Sequence, residues 1–142
     1  MLVIIYQINP YRRCAVNIKQ VSEKYQISSD TLRYWERIGA IPNVTRNASG
    51  YRDFDQEDEN WIHWTNCMRK AGVSIERIVE YIDLFKRGDE TIPARKTLLK
   101  EQLEVIANHL AEMKEMYDAL DDKIEHYDTH MVSYEGKLKN PD

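Results

Sequence analysis

Residues 28–39 read Ser28-Ser29-Asp30-Thr31-Leu32-Arg33-Tyr34-Trp35-Glu36-Arg37-Ile38-Gly39, and this stretch decides the fold. Ser28 is placed to cap a helix over about 29–38, and Gly39 is a good left-handed terminator for it. Ile27 before the cap and Leu32 at the fourth helical position fit a hydrophobic staple. Leu32 and Trp35 are three apart and face inward together, which leaves Thr31, Arg33, Tyr34 and Arg37 room to face out. Upstream, Asn17 caps a shorter helix that stops near Gln26, with Ile18, Val21 and Tyr25 on one face. Two short helices with the tight joint Ile27-Ser28-Ser29 are a helix-turn-helix pattern. An outward Arg suits guanine or phosphate, and Tyr and Thr hydroxyls suit phosphate oxygens.

Downstream, Ile41–Arg46 is extended, Asn47-Ala48-Ser49-Gly50 is rich in loop formers, and Tyr51-Arg52-Asp53-Phe54 is extended again. This predicts a small hairpin, a wing. Asp55 caps a third helix of about 56–70, with Glu57, Asp58 and Glu59 near its positive end. Trp61, Thr65 and Met68 fall on one side of it, and Trp64, Cys67 and Ala71 on the adjoining side. Gly72 breaks the helix, and Ser74 caps a fourth that runs to about Arg87. Its inner stripe is Ile75, Ile78, Val79, Ile82 and Phe85, and Gly88 ends it.

The longest regular signal follows. Leu99, Leu103, Ile106, Leu110, Met113, Tyr117, Leu120, Ile124 and Tyr127 alternate four and three apart. That is a 3.5-residue repeat spanning roughly 43 Å of helix at 1.5 Å per residue. No comparably long partner helix exists in the chain, so the expected partner of this seam is a second copy. The fold class expected is mainly α: a winged helix-turn-helix followed by a long C-terminal dimerisation helix forming a coiled coil. The segments are 1–15, an extension without period; 16–88, the winged unit; 91–128, the coiled-coil helix; and 129–142, a tail.

Composition agrees with this organisation. The chain has 142 residues, 42% of them apolar, enough for one small domain with a core plus an extension. Its net charge of −4 hides a split, with +5 over residues 1–52 and −9 over residues 53–142. A basic head on an acidic body permits a nucleic-acid partner despite the acidic total. The apolar run Leu2–Ile5 is far short of the roughly 20 residues that cross a bilayer and has no basic segment before it. No membrane partner and a cytoplasmic location are expected. Cys14 and Cys67 are too few for a disulfide framework or a four-thiolate zinc site.

Asn17–Glu23, Thr31–Gly39, Arg46-Asn47 with Gly50-Tyr51-Arg52, and Met68–Ile75 together resemble the MerR family of bacterial transcription regulators. The likeness covers about half the chain, from Asn17 to near Arg87, in the right order and spacing. The resemblance implies a homodimer that binds a palindromic promoter and controls transcription by bending and untwisting the duplex. It also implies that RNA polymerase is engaged through that promoter. The candidate DNA-contacting residues are Lys19, Ser29, Thr31, Arg33, Tyr34, Trp35, Arg46, Tyr51 and Arg52. Thr31, Arg33 and Tyr34 resemble the major-groove reader, and Arg46, Tyr51 and Arg52 the phosphate clamp. Trp35 departs from the family's usual Tyr and loses a hydroxyl, though its indole N–H still donates.

Cys67 just before Met68-Arg69-Lys70-Ala71-Gly72 resembles the aldehyde- and thiol-stress-responsive branch, which makes it a candidate electrophile or redox sensor. His63 one turn earlier and Lys70 three residues later favour a thiolate there, while the C-terminal end of a helix disfavours it. Burial beside Trp64 would instead leave Cys67 an inert packing residue. Metal-sensing relatives place cysteines where Thr91–Lys100 and residues 128–142 here have none, and His109, His126 and His130 read as surface histidines, so neither metal nor cofactor is expected. His63 and Cys67 have no third orienting group, so an enzyme is not expected. The alternative function is a coiled-coil adaptor without DNA binding; Arg33, Arg46 and Arg52 argue against it, because an adaptor has no need of a basic helix and a basic wing.

Overall fold

A computed structural model describes residues 16–139 of the chain. The expected extension 1–15, including Cys14, and residues 140–142 lie outside the described residues. The elements in order are α1 (Ile18–Tyr25), α2 (Ser29–Ile38), α3 (Gln56–Lys70), α4 (Ile75–Lys86), a 3-10 turn (Asp89–Thr91), α5 (Ile92–Glu125), a π turn (Tyr127–Met131) and α6 (Val132–Lys139). The chain divides into two compact units, one ending at Gln102 and one beginning at Leu103.

Local chemistry sets the boundaries in the first unit. Asn17 and Gln20 make a reciprocal capping box on α1, each side chain accepting from the other's backbone N–H at 2.9 Å. Ser28 Oγ accepts from the Thr31 N–H at 3.0 Å, and Gly39 closes α2 at φ 84°, a conformation glycine adopts without a Cβ penalty. Asp55 and Asp58 form a second capping box at the start of α3, both bonds at 3.0 Å. Ser74 caps α4.

Val21, Leu32, Trp35, Ile41, Phe54, Ile62, Ile78 and Ile82 are at most 6% exposed and form the core of this unit, with Leu98 of α5 joining it. Two polar groups tie the helices together inside it. Thr65 Oγ1 donates to the Ala40 carbonyl at 2.7 Å, linking α3 to the end of α2. Glu59, 5% exposed, accepts from Tyr25 Oη at 2.8 Å and pairs with Lys24. The buried face of α3 is therefore Glu59, Ile62 and Thr65, so of the two sides named from the sequence only Thr65 is buried. Trp61 and Trp64 instead join Tyr81 and Phe85 of α4 in a half-exposed aromatic cluster, with Trp61–Phe85 at 4.9 Å and Trp64–Tyr81 at 4.8 Å. Phe85, expected on the inner stripe of α4, is 39% exposed, and the Arg95 guanidinium lies over its ring at 5.3 Å.

The wing is smaller than the expected hairpin. Its legs meet in one antiparallel bridge, Arg46 with Arg52, and no strand forms among the described residues. Two residues beyond Arg52, Phe54 exchanges both backbone hydrogen bonds with Val16 at 2.9 Å. The return leg is thus handed to the segment before α1, and the ladder with residues 41–46 ends.

In the second unit α5 continues to Glu125. Leu103, Leu110, Met113, Tyr117, Leu120 and Ile124 of the heptad stripe are each 60–70% exposed. Tyr127, expected on the same stripe, lies in the π turn beyond the end of α5, so the repeat loses its phase there. The wider turn breaks the 3.5-residue spacing, which corrects both the seam's last member and the helix end expected at 128. The tail, expected to have no period, forms α6, and Tyr127 Oη donates to Glu135 Oε1 at 2.9 Å across the turn. That bond to a carboxylate pushes the Tyr127 phenol above its ordinary range.

Candidate nucleic-acid interface

Three segments far apart in sequence converge on one open groove of about 470 Å³. The start of α1 contributes Asn17, Ile18 and Gln20, α2 contributes Arg33, and the wing contributes Arg46, Tyr51, Arg52 and neighbours. Each arginine is held by a different neighbour. Arg33 Nη1 donates to Asp30 Oδ1 at 2.9 Å, one turn back on the same helix. Arg46 Nη1 donates to the Gly50 carbonyl at 2.8 Å, across the wing turn. Arg52 Nε donates to Glu36 Oε2 at 2.6 Å, joining the wing to α2.

The turn that presents these groups is built by Asn47. Its Oδ1 accepts from the Ser49 and Tyr51 N–H groups at 3.0 and 3.1 Å, and its own N–H donates to the Tyr51 carbonyl at 2.8 Å. Gly50 takes φ 83°, where a side chain would be strained. Tyr51 is left 72% exposed at the tip. Three guanidinium groups surround one concave surface, two of them paired with the carboxylates of Asp30 and Glu36, and Asp53 is the acidic lining residue. Guanidinium groups presented in this way can make charge-assisted hydrogen bonds to anionic oxygens.

The nine expected contact residues do not all belong to this groove. Arg33, Arg46, Tyr51 and Arg52 line it. Lys19 and Tyr34 are exposed outside that lining, with the Arg37 guanidinium 5.4 Å over the Tyr34 ring. Ser29 and Thr31 are half-buried at the start of α2, and the Thr31 hydroxyl lies 2.8 Å from Ser28 Oγ. Trp35 is a correction: at 6% exposure it is a core residue. Its place three residues after Leu32 turns it inward, so it has no surface to offer a ligand. Asp30 and Glu36 were missed as partners of the arginines. The Asp30–Arg33 spacing of three was a readable signal; the Glu36–Arg52 contact depends on the tertiary path of the wing.

Cys67 is exposed, with Sγ 3.7 Å from His63 Nε2, so burial does not shield it. Among the described residues no three His, Cys, Asp or Glu side chains are grouped to hold a metal ion. No helix of the described residues is long and apolar enough to cross a membrane.

Two family models match the chain. That of the MerR HTH family regulatory proteins covers residues 16–84, and that described as MerR, DNA binding covers residues 61–123. The HTH-type transcriptional regulator AdhR of Bacillus subtilis is 49% identical over 87 residues. That match covers 61% of this chain and 62% of AdhR, so it spans under two-thirds of that relative's length. An HTH-type transcriptional regulator of Haemophilus influenzae is 32% identical over 108 residues, covering 76% of this chain and 80% of that protein. Among solved structures, a MerR family transcriptional regulator from Listeria monocytogenes superposes with a TM-score of 0.77 at 48% identity, over 88% of this chain and 95% of that one. HiNmlR, a MerR family regulator lacking the sensor domain and bound to promoter DNA, superposes with a TM-score of 0.75 at 30% identity, over 83% and 94%.

Proposed function

The chain belongs to the MerR family of helix-turn-helix transcriptional regulators, and from that premise we propose that it binds a palindromic promoter as a homodimer and controls transcription by distorting the duplex. The observation that carries this reading is the convergence of Arg33 with Arg46, Tyr51 and Arg52 on one groove. Arg33 reads base edges in the major groove from α2. The wing arginines hold the flanking backbone. Contacts at both places are made more fully to a bent duplex than to a straight one, which offsets a bending cost of roughly 1–6 kcal/mol. RNA polymerase is engaged only through the reshaped promoter. A coiled-coil adaptor would leave this arginine surface without a purpose.

The test is a mobility-shift titration of the full chain with the duplex upstream of its own coding region. A discrete shift is expected, and Arg33→Ala should weaken it by about 1–3 kcal/mol at the base pair it reads. Affinity equal to wild type in that variant removes Arg33 from the reader.

Cys67 is the sensor thiol in this reading. Its exposure admits a soft electrophile, and His63 Nε2 at 3.7 Å is placed to take the thiol proton. Addition to an electrophilic carbon then forms one C–S bond, with the proton passing to the imidazole and on to the adduct. Cys67→Ser should abolish the transcriptional response to an α,β-unsaturated aldehyde. A normal response in that variant rejects thiol sensing.

A further inference from the structure

The exposed acidic residue in the first turn of the reading helix needs an explanation, because a carboxylate facing a duplex is repelled by its phosphates. Asp30 sits in the first turn of α2, and its side chain is 95% exposed. One oxygen, Oδ1, takes the hydrogen bond from Arg33 Nη1 at 2.9 Å. Asp30 Oδ2 takes no hydrogen bond from another described side chain. The N-terminal residues of a recognition helix are the ones that meet base edges in the major groove. There a carboxylate pairs best with the N4 amino group of cytosine, since the N6 amino group of adenine stands beside the N7 acceptor, and it is repelled by the O4 acceptor of thymine.

Resting on the reading of α2 as the major-groove element, we propose that Asp30 is a specificity-determining residue that accepts from cytosine N4 while its other oxygen aims the Arg33 guanidinium at a neighbouring guanine. The pair then reads two adjacent positions as a unit. Arg33 neutralises the carboxylate, so the pair approaches the duplex without net repulsion. A purely local role for Asp30, a favourable charge at a helix start, would alter helix stability and overall affinity but confer no preference for a base.

The experiment selects bound duplexes from a randomised pool with the full-length protein and sequences them, comparing wild type with Asp30→Ala and Asp30→Asn. Wild type should enrich a symmetric motif with cytosine over thymine at one position per half-site, by about tenfold or more. Asp30→Ala should flatten that position and weaken the guanine preference beside it, leaving the other positions unchanged. Asp30→Asn should move it toward adenine, since an amide pairs with adenine N6 and N7. A loss of helix stability cannot produce that change of base. If wild type enriches a motif whose every position survives both substitutions, the assignment of Asp30 is overturned and the DNA-binding reading stands. If wild type enriches no motif, the sequence-specific reading of α2 fails and this proposal falls with it.

Discussion

Asp58 occupies the third position of α3, where its Oδ2 accepts from the Asp55 N–H at 3.0 Å. Burial, with the negative charges of Asp55 and Glu57, pushes its carboxyl up to about 6, against the hydrogen bond from the Asp55 backbone that lowers it. The folded state therefore holds this proton to a higher pH than the unfolded state, whose value is near 3.8. Stability from this group is fully present below about 4 and is lost as pH rises through 6. Because the group is about half exposed to solvent, the effect is on the order of 1 kcal/mol. Asp58→Asn keeps the accepting oxygen and removes the titration. Thermal melts from pH 4 to 7.5 should show wild type losing stability relative to the variant as pH rises, and parallel curves would exclude Asp58 as the cause. At the same scale, Arg52→Ala removes a cation from the groove and leaves the Glu36 carboxylate without its partner. It should weaken binding to all duplex sequences alike and reduce the salt slope by about one. An unaltered slope takes Arg52 out of the clamp.

Among the elements, the helix starts were legible because capping is local: Asn17, Ser28, Asp55 and Ser74 each bond a backbone N–H three residues on. Gly39 was legible for the same reason. What the sequence did not disclose depends on chain segments distant from one another. The burial of Glu59 on α3 goes with its bonds to Tyr25 and Lys24 of α1, over thirty residues away. The wing's short ladder follows from the claim of Val16 on Phe54. Trp35 was read both as core and as contact; its spacing from Leu32 gave the right answer, and the family pattern gave the other. The Glu59 contact has a measurable weight. It joins α1 to α3 inside the first unit, holds the Lys24 ammonium charged above its ordinary range, and meets a Tyr25 phenol raised chiefly by burial. Glu59→Ala leaves the Tyr25 hydroxyl without its acceptor and should cost about 1–3 kcal/mol in urea unfolding. A midpoint shift equivalent to under ~0.5 kcal/mol would show that the contact does not hold the two helices together.

For the whole molecule, the strongest sequence signal is also the one a single chain leaves unsatisfied. Leu110, Met113, Tyr117, Leu120 and Ile124 lie 60–70% exposed along one side of α5. Ala107, Ala111 and Lys114 beside them widen the strip into a shallow, almost wholly apolar trough. Soluble monomers rarely present a contiguous apolar strip of this length. A 3.5-residue repeat fits a second helix bearing the same repeat, and a second copy supplies one under twofold symmetry. Two copies also place two basic grooves in one particle, which a palindromic site requires. Leu110→Asp sets a charge at the middle of the strip, where dimer formation would have to desolvate it. Sedimentation equilibrium should give wild type twice the 16.9 kDa chain mass and the variant the chain mass alone. The same substitution should lower affinity for a full palindrome far more than affinity for a single half-site, because it breaks the link between two readers and touches neither. A Leu110→Asp protein that stays dimeric would refute the strip as the interface. A monomer that binds the palindrome as tightly as wild type would show that pairing contributes nothing to recognition.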